Sequence, residues 1–172
     1  YGEYLKENPF HQNLGINIED FGQLDKKIIR ETYYSVDPEN NTPFSAELDD
    51  LIRLHYLVTS RKVTTILEFG VGKSTIVFNH ALEQNELKYG DFVKTNLRRS
   101  NPFECHSVDN NEEWIKVTKS NNPSMKNVTT HYCPCYVTTF NERICTLYDN
   151  FPNICPDLIY LDGPSQYAVK KS

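Results

Sequence analysis

The sequence predicts an α/β fold in which a doubly wound parallel sheet alternates with helices. Three observations carry this expectation. From residue 63 onward, short apolar runs rich in β-branched residues alternate with stretches of helical period. Three of the runs end in a carboxylate, at Glu68, Asp109 and Asp162. The first is followed at once by a glycine-rich turn, Gly70-Val71-Gly72. In such a sheet the crossovers are right-handed, and ligand binds at the carboxyl ends of the strands where strand order reverses. The three carboxylates are expected to converge there.

Residues 1–41 are polar, rich in Asn, Tyr and Glu, and broken by Gly15 and Gly22. We divide the chain into an N-terminal arm or lid over 1–42, with little core of its own, and a ligand-binding domain over 43–172. Tyr33 and Tyr34 suit packing on the domain, over a substrate, or against a second copy of the chain in a homodimer. Pro43 at a first helical position introduces a helix over 44–59, with Leu48, Leu51, Ile52 and His55 on one face. His55 there reads as a core histidine, and His106 and His131 as residues of strands. Strands are expected near 63–69, 103–109, 127–133 and 157–162, with helices near 74–84, 111–120 and 138–149. The last helix rests on Thr139 with Glu142 as a capping box and on Phe140, Ile144, Leu147 and Tyr148 sharing a face. Between the first helix and the second strand, residues 85–102 are polar without a clear apolar period and read as a long loop. Its cations Lys94, Arg98 and Arg99 form a solvated face or meet an anionic substrate.

The turn after the first strand admits three readings. A phosphate-binding Walker loop would need a glycine five residues before Gly72, and Leu67 stands there. A dinucleotide site wants three glycines in G-x-G-x-x-G, and the third position is Thr75. The third reading uses Glu68, a strand-end carboxylate before Gly70 and Gly72. Both glycines let the backbone turn tightly and approach a ligand, and Ser74 or Thr75 caps the following helix.

The segment Glu68-Phe69-Gly70-Val71-Gly72 with Ser74 and Thr75, the strand end Asp109-Asn110, and Leu161-Asp162-Gly163-Pro164 together resemble the class I S-adenosylmethionine-dependent methyltransferases. The likeness runs over residues 45–167. It implies a Rossmann-like sheet of methyltransferase type and S-adenosylmethionine as cofactor. Glu68, Phe69, Gly70, Val71, Gly72, Ser74 and Thr75 would face its methionine part. Asp109 and Asn110 would meet the ribose diol, and Tyr132 and Cys133 the adenine. Asp162 would sit where cofactor and acceptor meet, a candidate base if its surroundings raise its pKa, with Gly163, Pro164, Ser165, Gln166 and Tyr167 toward the substrate. Metal-dependent relatives carry a histidine soon after the Asp-Gly pair; Pro164 and Ser165 stand here, so no metal is expected. The resemblance implies methyl transfer to an oxygen or nitrogen of a small-molecule or glycan acceptor, with catalysis by proximity and alignment. An interaction module without turnover, and a nucleotide-sugar or dinucleotide enzyme on the same sheet, are the alternatives.

Composition narrows the partners. With 18 Lys and Arg against 23 Asp and Glu, the net charge of −5 disfavours a nucleic-acid backbone as main partner. The apolar runs fall far short of the roughly 18 residues of a membrane span. Cys105, Cys133, Cys135, Cys145 and Cys155 make an odd count without a secretory leader, which points to a reducing, cytoplasmic setting rather than a disulfide framework. Cys133-Pro134-Cys135 lacks zinc-finger spacing. A complete methyltransferase of this class has a seven-stranded sheet, so the chain is expected to be truncated after its fourth strand, or to pair that strand with another chain.

Overall fold

The computed structural model describes residues 1–24 and 47–164. Helix α1 (Gly2–Glu7) and two single 3-10 turns, Phe10–Gln12 and Phe21–Gln23, precede α2 (Leu48–Ser60). Then come β1 (Thr65–Phe69), α3 (Lys73–Asn96), β2 (Glu104–Asp109), α4 (Glu112–Asn121) and β3 (Val128–Tyr132). A hairpin, β4 (Cys135–Phe140) and β5 (Arg143–Tyr148), leads to β6 (Leu158–Leu161).

The fold is α/β, with a four-stranded sheet in the order β3-β2-β1-β6 and every pair parallel. The chain steps outward from β1 through β2 to β3, then returns to the far side of β1 as β6. Strand order therefore reverses beside β1, and Glu68, Asp109 and Asp162 lie at or just beyond the carboxyl ends of β1, β2 and β6. Register puts Phe69 opposite Val108 on one side and Leu161 on the other.

Alternation along β1 sends neighbouring side chains to opposite faces. Ile66 packs with Cys105 against Val58 of α2 and Phe78, Ala81 and Leu82 of α3, joined by Leu158 and Tyr160 of β6. Leu67 packs on the other face with Val108, Cys133 and Tyr148. Each large apolar side chain buried this way contributes about 2 kcal/mol. On β6 the outward partners of this pattern, Ile159 and Leu161, remain 62% and 72% exposed, and β6 is an edge strand among the described residues.

Residues 1–24 join the core rather than lying over it. Leu5, Phe10 and Leu24 bury themselves against Leu51, Ile52 and Val77. The anchor is a polar chain inside this cluster: the Tyr4 hydroxyl meets His55 Nδ1 at 2.7 Å, and His55 Nε2 meets His80 Nδ1 at 2.9 Å. The Phe10 ring stacks on His55 at 4.7 Å. Burial, and after it the neighbouring His80, lowers the His55 pKa to about 3, so the ring stays neutral. His55 is thus the core residue its helical position implied. Tyr33, Tyr34, Pro43 and the first residues of the expected 44–59 helix lie outside the described residues.

Two expectations are corrected. Residues 85–102 are not a loop throughout, because α3 continues unbroken to Asn96. Beyond Asn85 its one buried residue is Val93, while Leu87 and Phe92 stand in solvent. Helix here rests on propensity, in the run Glu83-Gln84-Asn85-Glu86-Leu87-Lys88, which an apolar-period criterion does not register. Residues 138–149 are not a helix but most of the antiparallel hairpin. Asn141 and Glu142 both take positive φ, +49° and +64°, as the two central positions of a type I′ hairpin turn require. The flanking runs are β-branched and aromatic, and Phe140 and Ile144, expected on a buried helix face, are 70% and 80% exposed. Thr139 and Glu142 cap nothing.

The other cations also find their places. Arg99 donates to the Cys155 carbonyl at 3.0 Å and pairs with Asp157, whose carboxylate also receives the Thr64 amide and hydroxyl. This clamp fixes the entry to β6, so Arg99 is structural. His106 pairs with His131 at 3.0 Å and with Glu104, across β2 and β3.

Candidate functional site

The loop from Gly70 to Gly72 is built from both sides by carboxylates. Gly70 takes φ +106°, a conformation glycine alone adopts freely, and its amide donates to the Val108 carbonyl at 2.7 Å. The Val71 amide donates to Asp109 Oδ2 at 2.8 Å. The Gly72 amide donates to the Thr75 hydroxyl at 2.9 Å, which starts α3. Thr75 therefore performs the cap, while Ser74 turns elsewhere. Open space lies where a Gly72 side chain would begin, with no atom within 4 Å.

Beneath the loop sits Glu68, fully buried. Its Oε1 accepts from the Ser74 hydroxyl at 2.5 Å, and its Oε2 from the hydroxyls of Thr75 at 2.7 Å and Ser107 at 2.5 Å. Burial, resisted by these three donors and reinforced by the charge of Asp162, raises its pKa to about 7. Glu68 thus ties together the end of β1, the first turn of α3 and β2. Both its oxygens are engaged inside the protein, and what it supplies to the loop is position.

Asp109, at the end of β2, is also buried. Its Oδ1 accepts the Asn111 amide at 2.8 Å, and its backbone carbonyl accepts the Cys133 amide at 2.9 Å. Through its side chain and its carbonyl, this one residue links the loop, β2, the end of β3 and the start of α4. Each oxygen keeps acceptor capacity after one amide. Asn111 caps α4 by accepting the Trp114 amide at 3.1 Å, and the Trp114 indole donates to the Val71 carbonyl. Asn110 is half-buried between them, and Tyr132 stands exposed opposite Asp109 in register. Cys133 is buried under the hairpin.

Asp162 follows β6, and its amide donates to the Phe69 carbonyl at 2.8 Å. Asp162 is exposed, and partial desolvation of its carboxyl shifts its pKa upward, opposed by a hydrogen bond from Tyr160. The backbone of Asp162 runs so close to Gly70 that a Cβ there would meet its carbonyl carbon and oxygen at 3.0 Å. Gly163 and Pro164 continue along the same edge. Ser165, Gln166 and Tyr167 lie outside the described residues.

The structure thus brings Glu68, Asp109 and Asp162 around one glycine turn. Sequence reasoning missed three contributors. Ser107 carries a signal, a small hydroxyl on a strand two residues before its terminal carboxylate. Trp114 lies within the expected 111–120 helix, where nothing in the spacing marks it as reaching the turn. Tyr148 was hidden by the wrong secondary structure. Among the described residues, the carboxylates close enough to share an ion are Glu47, Asp49 and Asp50 at the start of α2, and Arg53 pairs with the two aspartates.

The fold and site define an α/β protein with a parallel sheet and a glycine turn at its reversal point. No family model, curated protein or solved structure matches the chain. No helix among the described residues is long and apolar enough to cross a membrane.

Proposed function

We propose that the chain binds S-adenosylmethionine at the carboxyl ends of β1, β2 and β6 and directs methyl transfer to an oxygen or nitrogen of a small-molecule or glycan acceptor. The observation that carries this reading is the Gly70–Gly72 turn held between Glu68 and Asp109 beside the strand reversal. The residues present fit the group. Asp109 retains acceptor capacity for a pair of hydroxyls, and the space over Gly72 is open to a ligand. The cofactor, when bound, supplies an already activated methyl on a sulfonium, so the protein has to align the acceptor and take its proton.

Asp162 is the candidate for that proton: it stands exposed beside the turn, and partial desolvation shifts its pKa upward from the ordinary aspartate value. Glu68 keeps the turn in shape, and Trp114 closes over it through the Val71 carbonyl. Arg99 is committed to the β6 clamp, so it takes no part in acceptor recognition.

Calorimetric titration with S-adenosylhomocysteine, NAD and ATP tests this. Micromolar binding of S-adenosylhomocysteine alone is expected, weakened about tenfold or more in Asp109→Ala, which loses a charged acceptor. Asp109→Asn, which keeps one acceptor oxygen, should fall between. Tight binding of NAD or ATP instead, or of nothing by the folded chain, would remove the methyltransferase reading.

A further inference from the structure

The sheet carries a titratable cluster that the proposed function does not use. Glu104 and His106 alternate onto one face of β2, and His131 of β3 completes a row with them. The Asn101 side-chain amide donates to Glu104 Oε2 at 3.0 Å, His106 Nε2 meets that same oxygen at 3.0 Å, and His106 Nδ1 meets His131 Nε2 at 3.0 Å. The two rings lie nearly parallel, 15° apart, with centroids at 5.2 Å. His106 is buried and His131 half-buried.

The direction of each bond follows from the end that cannot donate. An ionised carboxylate only accepts, so His106 carries its proton on Nε2 and offers Nδ1 as an acceptor. His131 must then donate from Nε2, which leaves its Nδ1 as the open end of the row. A first added proton enters there and leaves both bonds standing, because His131 still donates and Glu104 balances the charge. A second has no such place, since it sets two N–H groups face to face across 3.0 Å with a positive ring behind each. The pair accommodates one added proton and breaks on two.

Breaking matters here because little else holds β3. It is an edge strand among the described residues, and none of its residues is buried. Val128 reaches the core, but on that same face Val128 and Thr130 border a cleft of about 240 Å³ shared with Lys119 and Met125, and the Thr130 hydroxyl lacks a partner. Beyond its carboxyl end β3 runs into Cys133, whose amide bonds the Asp109 carbonyl at 2.9 Å.

We propose that Glu104, His106 and His131 form an acid-released latch that fastens β3 to β2. Among the described residues, Glu104 is the one carboxylate bonded to either ring. Burial, then His106, then the charge of Lys119 on α4 lower the His131 pKa and so oppose its cationic form. The latch's contribution is therefore complete above the unfolded histidine value of 6.5 and is lost as pH falls from there toward the lowered folded value. Once released, β3 takes the Cys133 amide away from Asp109, so acid loosening reaches the neighbour of the glycine turn whatever ligand that turn holds.

The test follows the imidazole nitrogens of isotope-labelled protein by NMR from about pH 8 to about pH 4. At the alkaline end His131 should carry its proton on Nε2, and the two rings should then protonate in steps more than about 1 pH unit apart. Amide-exchange protection of β3 should survive the first step and fall about tenfold or more, relative to β1, at the second. His131→Gln keeps a donor for His106 and cannot take up a charge, so it should abolish that fall. A shared midpoint for the two rings, a proton on His131 Nδ1 at alkaline pH, or an equal loss of β3 protection in His131→Gln overturns the latch. These readings are site-resolved because His55 is also held neutral by burial, and global unfolding in acid would report both.

Discussion

Gly70→Ala is expected to lower the melting temperature by on the order of 10 °C. Two costs add. At φ +106° an alanine is strained by its own backbone, and its Cβ would sit 3.0 Å from the carbonyl carbon and oxygen of Asp162. These are backbone atoms of a paired strand end, so they cannot swing aside as a flexible side chain would. Together the terms amount to about 3 kcal/mol. Gly72→Ala is the control, since its Cβ would meet nothing within 4 Å. Thermal melts of the two variants check the claim, and similar small losses in both would show that β1 and β6 do not approach as closely as described.

The second large effect concerns pH. With the pKa of Glu68 raised to about 7, the folded state binds a proton that the unfolded chain has released above the ordinary glutamate range. The sign follows: this group's contribution is fully present below the unfolded pKa and is lost as pH rises through about 7. Its size is up to about 3 kcal/mol. Glu68→Gln, an isostere of the protonated form, should match wild type near pH 5 and exceed its stability by about 2 kcal/mol at pH 8. Urea unfolding across that range reads the difference. Parallel profiles for the two proteins would mean that Glu68 stays ionised, held by its three hydroxyl donors.

Much of this site was legible in the sequence because its parts are local. Glu68, the two glycines and Thr75 lie within one strand-turn-helix, where spacing alone dictates that they meet. Asp109 and Asp162 were legible as strand ends, since parallel strands of a reversing sheet bring those ends together. What was not legible depended on contacts across the chain. The three hydroxyls around Glu68 come from two different elements, and only the tertiary structure shows that they use both of its oxygens. The hairpin was misread because Phe140, Ile144, Leu147 and Tyr148 satisfy a helical period by chance, while the neighbouring β-branched residues Val137, Thr138, Thr139 and Thr146 spoke for strands. The far half of α3 was misread for the opposite reason, as a helix that buries almost nothing.

The order of strands also sets an order of assembly. β1 reaches β2 across a span of 39 residues, but β6 joins β1 only after 92 to 93, as the Thr64 and Thr65 bonds to Asp157 measure. Closing the longer loop costs more entropy and is rewarded late. The glycine turn and Asp109 therefore take shape within the early β1-α3-β2 unit, whereas Asp162 arrives with the last strand to dock. During refolding, the amides of Asp157 and Asp162 should gain protection from hydrogen exchange after that of Gly70. The chain would then hold the means to grip a ligand before it holds the group proposed to act on one.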